Sequence, residues 1–379
     1  MPVPENSTVA RLLRPPNSFI PDNLSIRPDP PGNPRQQWRH RTDDTAHRSR
    51  LDRTPHPRLP WPVTSPPTAI TIGSFDGVHV GHAALVRAAR ERVGPAGRCV
   101  ALAFDPHPRE ILSPDAAPPR LTTFDQRRRF LLDLGADEVL RLETDRQLLG
   151  LSAEAFVRHV VDEFAPVAIV EGDDFRFGRA RQGGSDSLER LASVMGFESI
   201  VVREVDIELA DQSIVRASST LIRWLLEHGR IDDAARVLGR PYELSGTVVR
   251  GDRRGRSIGF PTANIDPASM TPARGVYAGI ATLSDGREAP AAINVGRRPT
   301  FRGVETRVEA HLLGLPTSYG SESAATWAPI EGLDEYGWPI GLRLVAWLRD
   351  EVRFGSIDEL RAQLARDVER AREALMECA

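Results

Sequence analysis

The order of apolar runs and helical stripes constrains this chain more than any other feature. From residue 69, "AITIG" (69–73), "RCVALAF" (98–104), "DEVLRL" (137–142), "VAIVEG" (167–172) and "SIVVREV" (199–205) read as strands. They are short, apolar and bounded by polar turns. Segment 82–93 carries Leu85, Ala89 and Val93 on one face and Arg87, Arg90 and Glu91 elsewhere, and segments 152–164 and 184–196 repeat that pattern. Strands alternating with such helices predict βαβ units and an α/β, doubly wound, mostly parallel sheet. After "VLGRPY" (237–242) the texture changes. "ELSGTVVRG", "GVYAGIATL", "APAAINVG", "TRVEAHLL" and "GLRLVAWLR" follow one another without intervening helices, which predicts an antiparallel sheet or small β-barrel. A last segment, "SIDELRAQLARDVERAREAL", opens with a capping box (Ser356, Glu359) and places Leu360, Leu364, Val368 and Leu375 on one side of a C-terminal helix.

Three regions result: an extension over 1–66, an α/β domain over 67–240 and a barrel domain over 241–379. Residues 1–67 hold 15 of the 31 prolines and few large apolar groups, so disorder is expected there. That extension has a basic excess, ten arginines against six acidic residues in 1–60, and a solvated tail is the expectation. All 49 basic residues are arginine. With no lysine, a P-loop is excluded, because its Gly-Lys-Ser/Thr is missing. A net charge of −3 gives no reason to expect a nucleic-acid partner. Cys99 and Cys378 stand too far apart in sequence to suggest a disulfide framework or a zinc site. Without a long apolar run or a signal-peptide core, the expected location is the cytoplasm and no membrane contact is expected.

Within the α/β domain, "GSFDGVHVGH" (73–82) joins a strand to a helix. A doubly wound fold binds ligands at such a turn, where free helix N–H groups attract anions. Gly81 lets backbone approach a phosphate, and the imidazoles of His79 and His82 can donate to its oxygens. A helical metal pair would favour a spacing of four. In "SSTLIRWLLEHG", Ser218 is a candidate N-cap, Leu221, Ile222 and Leu225 form a buried stripe, and Gly229 ends the helix.

The string 73–82 resembles the HxGH signature of nucleotidyltransferases, in the form found in bacterial bifunctional riboflavin kinase/FAD synthetases. "FDPHP" (104–108), "EGDDFRFG" (171–178) and "SSTLIR" (218–223) agree with that family in order and spacing. The resemblance covers residues 69–379. It implies a Rossmann-like nucleotidyltransferase domain in which an FMN phosphate oxygen attacks the α-phosphorus of ATP, giving FAD and pyrophosphate. His79 and His82 would be catalytic. ATP would be held by Gly73, Phe75, Gly81, Asp174, Ser218, Ser219, Thr220 and Arg223. Phe104, Pro106, His107 and Pro108 would form the flavin wall.

"GDRRGRSIGFPTANI" (251–265) is similar to the riboflavin kinase signature of the same family. Gly251, Gly255 and Gly259 would shape a loop over ATP. In an extended segment Thr262 and Asn264 project to one side, so a hydroxyl and an amide oxygen can share a Mg²⁺ ion with ATP phosphates. Strand alternation in "TRVEAHLL" puts Glu309 and His311 on one face, and the resemblance assigns Glu309 as general base for the ribityl hydroxyl. "INVGRRPTF" (293–301) borders that site, with Arg298 on the flavin side. The implied substrates are riboflavin, FMN and ATP.

This sequence departs from the family where "GLPTSYGSESAATWAPIEG" (314–332) replaces a short turn. Two rivals therefore stay open here: an FMN adenylyltransferase whose kinase half is impaired by that insertion, and a flavin-binding regulatory protein with dead sites. Oligomeric state is not legible.

Overall fold

The computed structural model describes residues 66–252, 254–300, 303–314 and 330–377. The expectations for the N-terminal extension, for Cys378 and for most of the 314–332 insertion fall outside these residues. Five parallel strands form the first sheet: β1 (Thr68–Gly73), β2 (Arg98–Asp105), β3 (Glu138–Glu143), β4 (Ala168–Gly172) and β5 (Glu198–Val202), in the order β3-β2-β1-β4-β5. All five predicted strands are present. The fifth stops at Val202, three residues short of its apolar run, and the chain then enters a small hairpin, β6 (Asp206–Glu208) and β7 (Ile214–Arg216).

The sheet is covered on both faces because side chains alternate along its strands. Ala69, Cys99, Ala101 and Ala103 pack with α1 (Val80–Val93), through Val86, Ala89 and Val93. Beyond α2 (Pro108–Leu112), α3 (Phe124–Asp133) adds Phe130 and Leu131 to that layer. On the opposite face, Ile70, Ile72, Val100 and Leu102 meet helices that follow α4 (Arg146–Gly150), namely α5 (Ala153–Phe164) and α6 (Ser185–Met195). Small residues on one face let α1 approach closely, while branched residues fill the other.

Strand order reverses between β1 and β4, which is where such sheets open a crevice. Their backbone pairing is confined to Ala69–Ala168 and Ile70–Ile169. Further along, the Ile72 N–H donates to a side chain, Glu171 Oε1, at 2.5 Å. The carboxyl ends of the two strands are thereby held apart.

Helices α7 (Ser219–Glu227) and α8 (Ile231–Leu238) lead to the second architecture. Six strands close a barrel: β8 (Tyr242–Val249), β9 (Ala263–Pro267), β10 (Gly275–Thr282), β11 (Glu288–Thr300), β12 (Gly303–Leu312) and β13 (Pro339–Arg349), ordered β10-β11-β12-β9-β8-β13. The short α9 (Arg254–Ser257) precedes β9, and α10 (Ile357–Glu377) closes the chain. Ile222, Leu225, Leu226 and Val237 belong to the same apolar cluster as Tyr242, Leu244, Ile293 and Val308. The change of architecture at residue 241 therefore lies inside a shared core. Tyr242, buried in it, donates its hydroxyl to Met270 O at 2.6 Å.

Two details differ from the sequence patterns. In α7 the buried stripe is Ile222, Leu225 and Leu226, with Leu221 only half-buried. At α10, Ser356 Oγ accepts the Glu359 N–H at 3.2 Å, but the Glu359 carboxylate accepts from Gly355 N (3.0 Å) and not from the Ser356 backbone. Val368, Ala371 and Leu375 of that helix pack on the barrel, whereas Leu360 and Leu364 face a cavity.

Candidate active site

The first cavity opens at the β1–β4 crevice and has a volume of about 340 Å³. His79 is the N-cap of α1, and its Nδ1 accepts the Gly81 N–H at 3.2 Å. His82, at the third helical position, returns the arrangement: its Nδ1 accepts the His79 N–H at 3.2 Å. The two rings stack, with centroids 3.8 Å apart. Because each Nδ1 is an acceptor, each ring carries its proton on Nε2, which leaves that N–H to donate. Burial lowers the His79 pKa to about 4 and that of His82 well below the usual value. Both are thus neutral donors near pH 7. A Cβ at position 81 would stand 3.0 Å from the His79 ring, so Gly81 is what allows the cap and the stack together. Among the described residues, no cluster of three His, Cys, Asp or Glu side chains is arranged to hold a metal.

The same cavity is lined by Gly73, Phe75, Asp174, Ser218, Ser219 and Thr220. Gly73 lies over the Phe75 ring, which is buried, and that ring meets His82 edge-on at 5.2 Å. Ser218 caps α7 through Leu221 N at 3.1 Å, and Ser219 Oγ donates to Asp76 O at 2.7 Å. Thr220 is exposed. The N-terminal turns of α1 and α7 therefore converge on one cavity, and helix N-termini favour negative charge.

Arg223 differs from expectation. Its Nη2 donates to Asp76 Oδ2 at 2.5 Å and its Nε to Pro119 O at 2.8 Å, and it does not line the cavity. Asp76 is buried and also accepts from Leu121 N, Thr122 N and Thr122 Oγ1 at 3.0–3.1 Å. A buried carboxylate holds a guanidinium strongly, which is the physical reason Arg223 sits behind the loop. Arg203 and Arg216 line the cavity, and Arg216 is exposed and paired with Asp174 at 2.5 Å and with Glu204.

The presumed flavin wall is a turn apart from this cavity. Phe104 is half-buried and stacks on Phe156 at 6.2 Å, and its carbonyl accepts from Arg127 at 2.8 Å. Pro106 follows a cis peptide bond. His107 caps α2 by accepting Arg109 N at 3.1 Å, and Pro108 is the first residue of that helix. None of the four lines the His79–His82 cavity. Burial lowers the His107 pKa, with the charges of Asp76 and Arg223 acting next, so this turn lies near the Asp76–Arg223 pair.

The second cavity, about 290 Å³, opens in the barrel and brings together Gly255, Thr262, Asn264, Glu309 and His311. Asn264 of β9 pairs with Glu309 of β12, and Glu309 pairs in turn with Asn294 of β11. Three strands thus present one row of oxygen-bearing side chains to the cavity. Burial raises the pKa of Glu309, with Arg307 opposing the rise. A Cβ at Gly251 would lie 2.1 Å from Asn264 Nδ2, and one at Gly255 would lie 2.2 Å from Phe260 O; the lack of a side chain lets Gly251 approach Asn264 and Gly255 approach the Phe260 carbonyl. Gly259 adopts φ +88° at the end of the same turn. Arg298 lies in the β11–β12 ladder opposite Glu305, and its side chain is outside the described residues.

Among the cavity residues not singled out in the sequence are Glu171 and Arg216 in the first cavity and Asn294 and Arg307 in the second. Arg307 had a signal, since strand alternation puts it on the face of Glu309. Asn294 is found only by register.

The FAD synthetase family model matches residues 62–218, and the riboflavin kinase family model matches residues 238–375. The bifunctional riboflavin kinase/FMN adenylyltransferase of Escherichia coli K12 is 37% identical over 312 residues, covering 80% of this chain and 91% of that protein. The protein of the same description from Haemophilus influenzae is 32% identical over 307 residues, covering 80% and 93%. A crystal structure described as a macrolide-efflux protein from Streptococcus pneumoniae superposes with a TM-score of 0.67 at 28% identity, over 82% of this chain and 95% of that one. Two family models in tandem, the first spanning the His79–His82 cavity as far as Ser218 and the second spanning the barrel cavity, place this chain in the bifunctional riboflavin kinase/FMN adenylyltransferase family.

Proposed function

We propose that the chain converts riboflavin and ATP to FMN in the barrel cavity, and FMN and ATP to FAD and pyrophosphate in the α/β cavity. One observation carries this reading: Thr262, Asn264 and Glu309 share a cavity in the half that matches riboflavin kinase, while the His79–His82 donors and the α7 cap Ser218 share another in the half that matches FAD synthetase.

In the barrel, Glu309 accepts the proton of the ribityl 5′-hydroxyl as its oxygen attacks the γ-phosphorus. A carboxylate raised by burial is a better base than an exposed one. Thr262 Oγ1 and Asn264 Oδ1 suit Mg²⁺, a hard ion that takes few protein oxygens and several from phosphates and water. Asn264 Oδ1 already faces a cation, accepting both Nε and Nη2 of Arg307, so its orientation fits. Mg²⁺ there would neutralise phosphate charge. Gly251, Gly255 and Gly259 bring backbone near that charge.

In the α/β cavity the FMN phosphate is already ionised and needs no protein base. Alignment and charge stabilisation govern such a step. His79 and His82 donate Nε2–H to oxygens of the α-phosphate, where charge builds. Ser218, Ser219, Thr220 and the α7 N–H groups hold the phosphates that leave, with Asp174 toward the nucleoside. Arg216 supplies the guanidinium, and Arg223 with Asp76 fixes the loop. Phe104 to Pro108 form the flavin side.

The domain limits proposed are 67–240 and 241–379, with riboflavin, FMN and ATP as the small-molecule partners. No helix among the described residues is long and apolar enough to cross a membrane. Nothing favours loss of the kinase half. Separating riboflavin, FMN and FAD by chromatography after incubation with riboflavin, ATP and Mg²⁺ tests the reading, because an impaired barrel yields no FMN.

A further inference from the structure

The barrel cavity contains a cation that the steps above do not use. Arg307 precedes Glu309 by two residues on β12, so both face the cavity. Its Nε and Nη2 donate to Asn264 Oδ1 at 3.0 and 2.6 Å. Nη2 also lies 2.8 Å from Glu309 Oε1, and Nη1 lies 3.3 Å from Asp252 Oδ2. Two of these three partners are needed elsewhere in the reaction: Asn264 Oδ1 by the metal and Glu309 by the substrate hydroxyl.

The guanidinium cannot keep Asn264 Oδ1 beside a divalent cation, because like charges at contact distance repel. A triphosphate enters with that cation. It offers acceptors that match a planar fork far better than one amide oxygen does. Among the described residues the other arginine lining this cavity is not free to respond: Arg349 clasps both oxygens of Asp367 at 2.8 and 2.6 Å, and Asp367 is 1% exposed. The Arg307 side chain is 27% exposed, so it can swing without stranding a buried charge.

We propose that Arg307 is a catalytic residue of the kinase step, leaving Asn264 and Glu309 when the nucleotide arrives and binding the oxygens of the transferred phosphoryl group. This rests on the assignment of the barrel cavity as the kinase site. Arg307 stays protonated throughout and forms no covalent bond. It neutralises charge as the bond from γ-phosphorus to the β,γ-bridging oxygen breaks and that to the ribityl oxygen forms, while the hydroxyl proton goes to Glu309. Release of the ion pair also makes Glu309 more basic at the moment its hydroxyl partner is present.

The test uses the full chain with Arg307→Gln and Arg307→Lys. FMN formation is followed with riboflavin and ATP varied separately, and binding of the magnesium complex of a non-hydrolysable ATP analogue is read from the fluorescence of riboflavin held in the barrel. Removing one charge-stabilising donor costs about 10²–10³-fold, so R307Q should lose that much kcat with riboflavin KM unchanged. The analogue should no longer alter riboflavin fluorescence at concentrations that saturate the parent chain. R307K, a point charge without the fork, should recover only part of kcat. FAD formation from FMN reports folding, since it uses the other cavity. Parent-like kcat and analogue binding in R307Q would overturn the proposal and leave Arg307 a strand-to-strand ion pair. If R307Q also loses FAD formation, R307K decides by the same readings: parent-like kcat contradicts the proposal, and a partial loss with normal FAD formation supports it. A parent chain that makes no FMN would instead overturn the kinase assignment itself, and this proposal with it.

Discussion

Asn264 and Glu309 face each other as register partners on β9 and β12, and the Arg307 guanidinium touches both, Asn264 Oδ1 at 2.6 Å and Glu309 Oε1 at 2.8 Å. The proposed metal ligand and the proposed base are thus fixed on adjacent strands of a closed barrel. Rigid strands hold such a pair more accurately than loops would.

The two cavities lie in different architectures, so their chemistries should separate by mutation. Asn264→Ala removes an oxygen from the barrel cavity and leaves the histidines untouched. It should abolish FMN formation while FAD formation from supplied FMN stays within about twofold, on the additivity expected of distant sites. Chromatography of the two reactions run in parallel reads this, and joint loss would refute separate sites.

Glu309 should set the acid limb of the kinase reaction. Burial raises its pKa, and the deprotonated form is the base. The rate of FMN formation should therefore fall as pH drops through a pKa above the ordinary carboxylate value, and level off on the alkaline side. Glu309→Gln should lower kcat by about 10²–10⁴-fold, the usual contribution of general acid–base catalysis, and flatten that limb. An unchanged profile would assign the limb to another group.

His79 and His82 predict the opposite kind of profile. Both pKa values are lowered, that of His79 to about 4, so neither ring gains a proton between pH 8 and pH 6. In NMR spectra their ring signals should stay fixed across that range while exposed histidines titrate. The unfolded chain takes up these protons near pH 6.5, before the folded one does. Stability from the neutral pair is therefore complete above pH 6.5 and declines as pH falls toward 4. His82→Ala should remove FAD formation and spare FMN formation.

Asp76 is the keystone behind the nucleotide loop. Asp76→Ala leaves Arg223 buried without its carboxylate and strips acceptors from Leu121 N and Thr122 N. Breaking one partner of a buried pair costs about 3–5 kcal/mol, which denaturant unfolding would resolve. Asp76→Asn, which keeps an acceptor, should lose less. Equal stability in all three chains would show that the pair does not organise the loop.

Much of the architecture was legible because periodicity is local. The five parallel strands, five of the six barrel strands and the closing helix follow from local runs, whereas β9 (Ala263–Pro267) is too short and polar to stand out as one. Asn264 and Glu309 were legible for the same reason, as alternation fixes which face each occupies. The Asp76–Arg223 pair was not legible because the two residues lie 147 positions apart, and no local pattern reveals that a buried carboxylate meets the guanidinium. Glu171 and Asn294 were missed on similar grounds. The first replaces a ladder bond where two strands diverge, and the second reaches the site only through register with β12. The histidines were half legible: their position at a helix start predicted phosphate contact, but their mutual capping and its consequence for the tautomer required coordinates.

The most direct measurement is a time course with purified full-length chain, riboflavin, ATP and Mg²⁺, separating the three flavins, alongside a reaction started from FMN. Bifunctional synthesis predicts FMN appearing first and FAD following, with FAD alone forming in the parallel reaction. FAD from FMN but no FMN from riboflavin would contradict a working barrel site, and would turn attention to the 314–332 insertion.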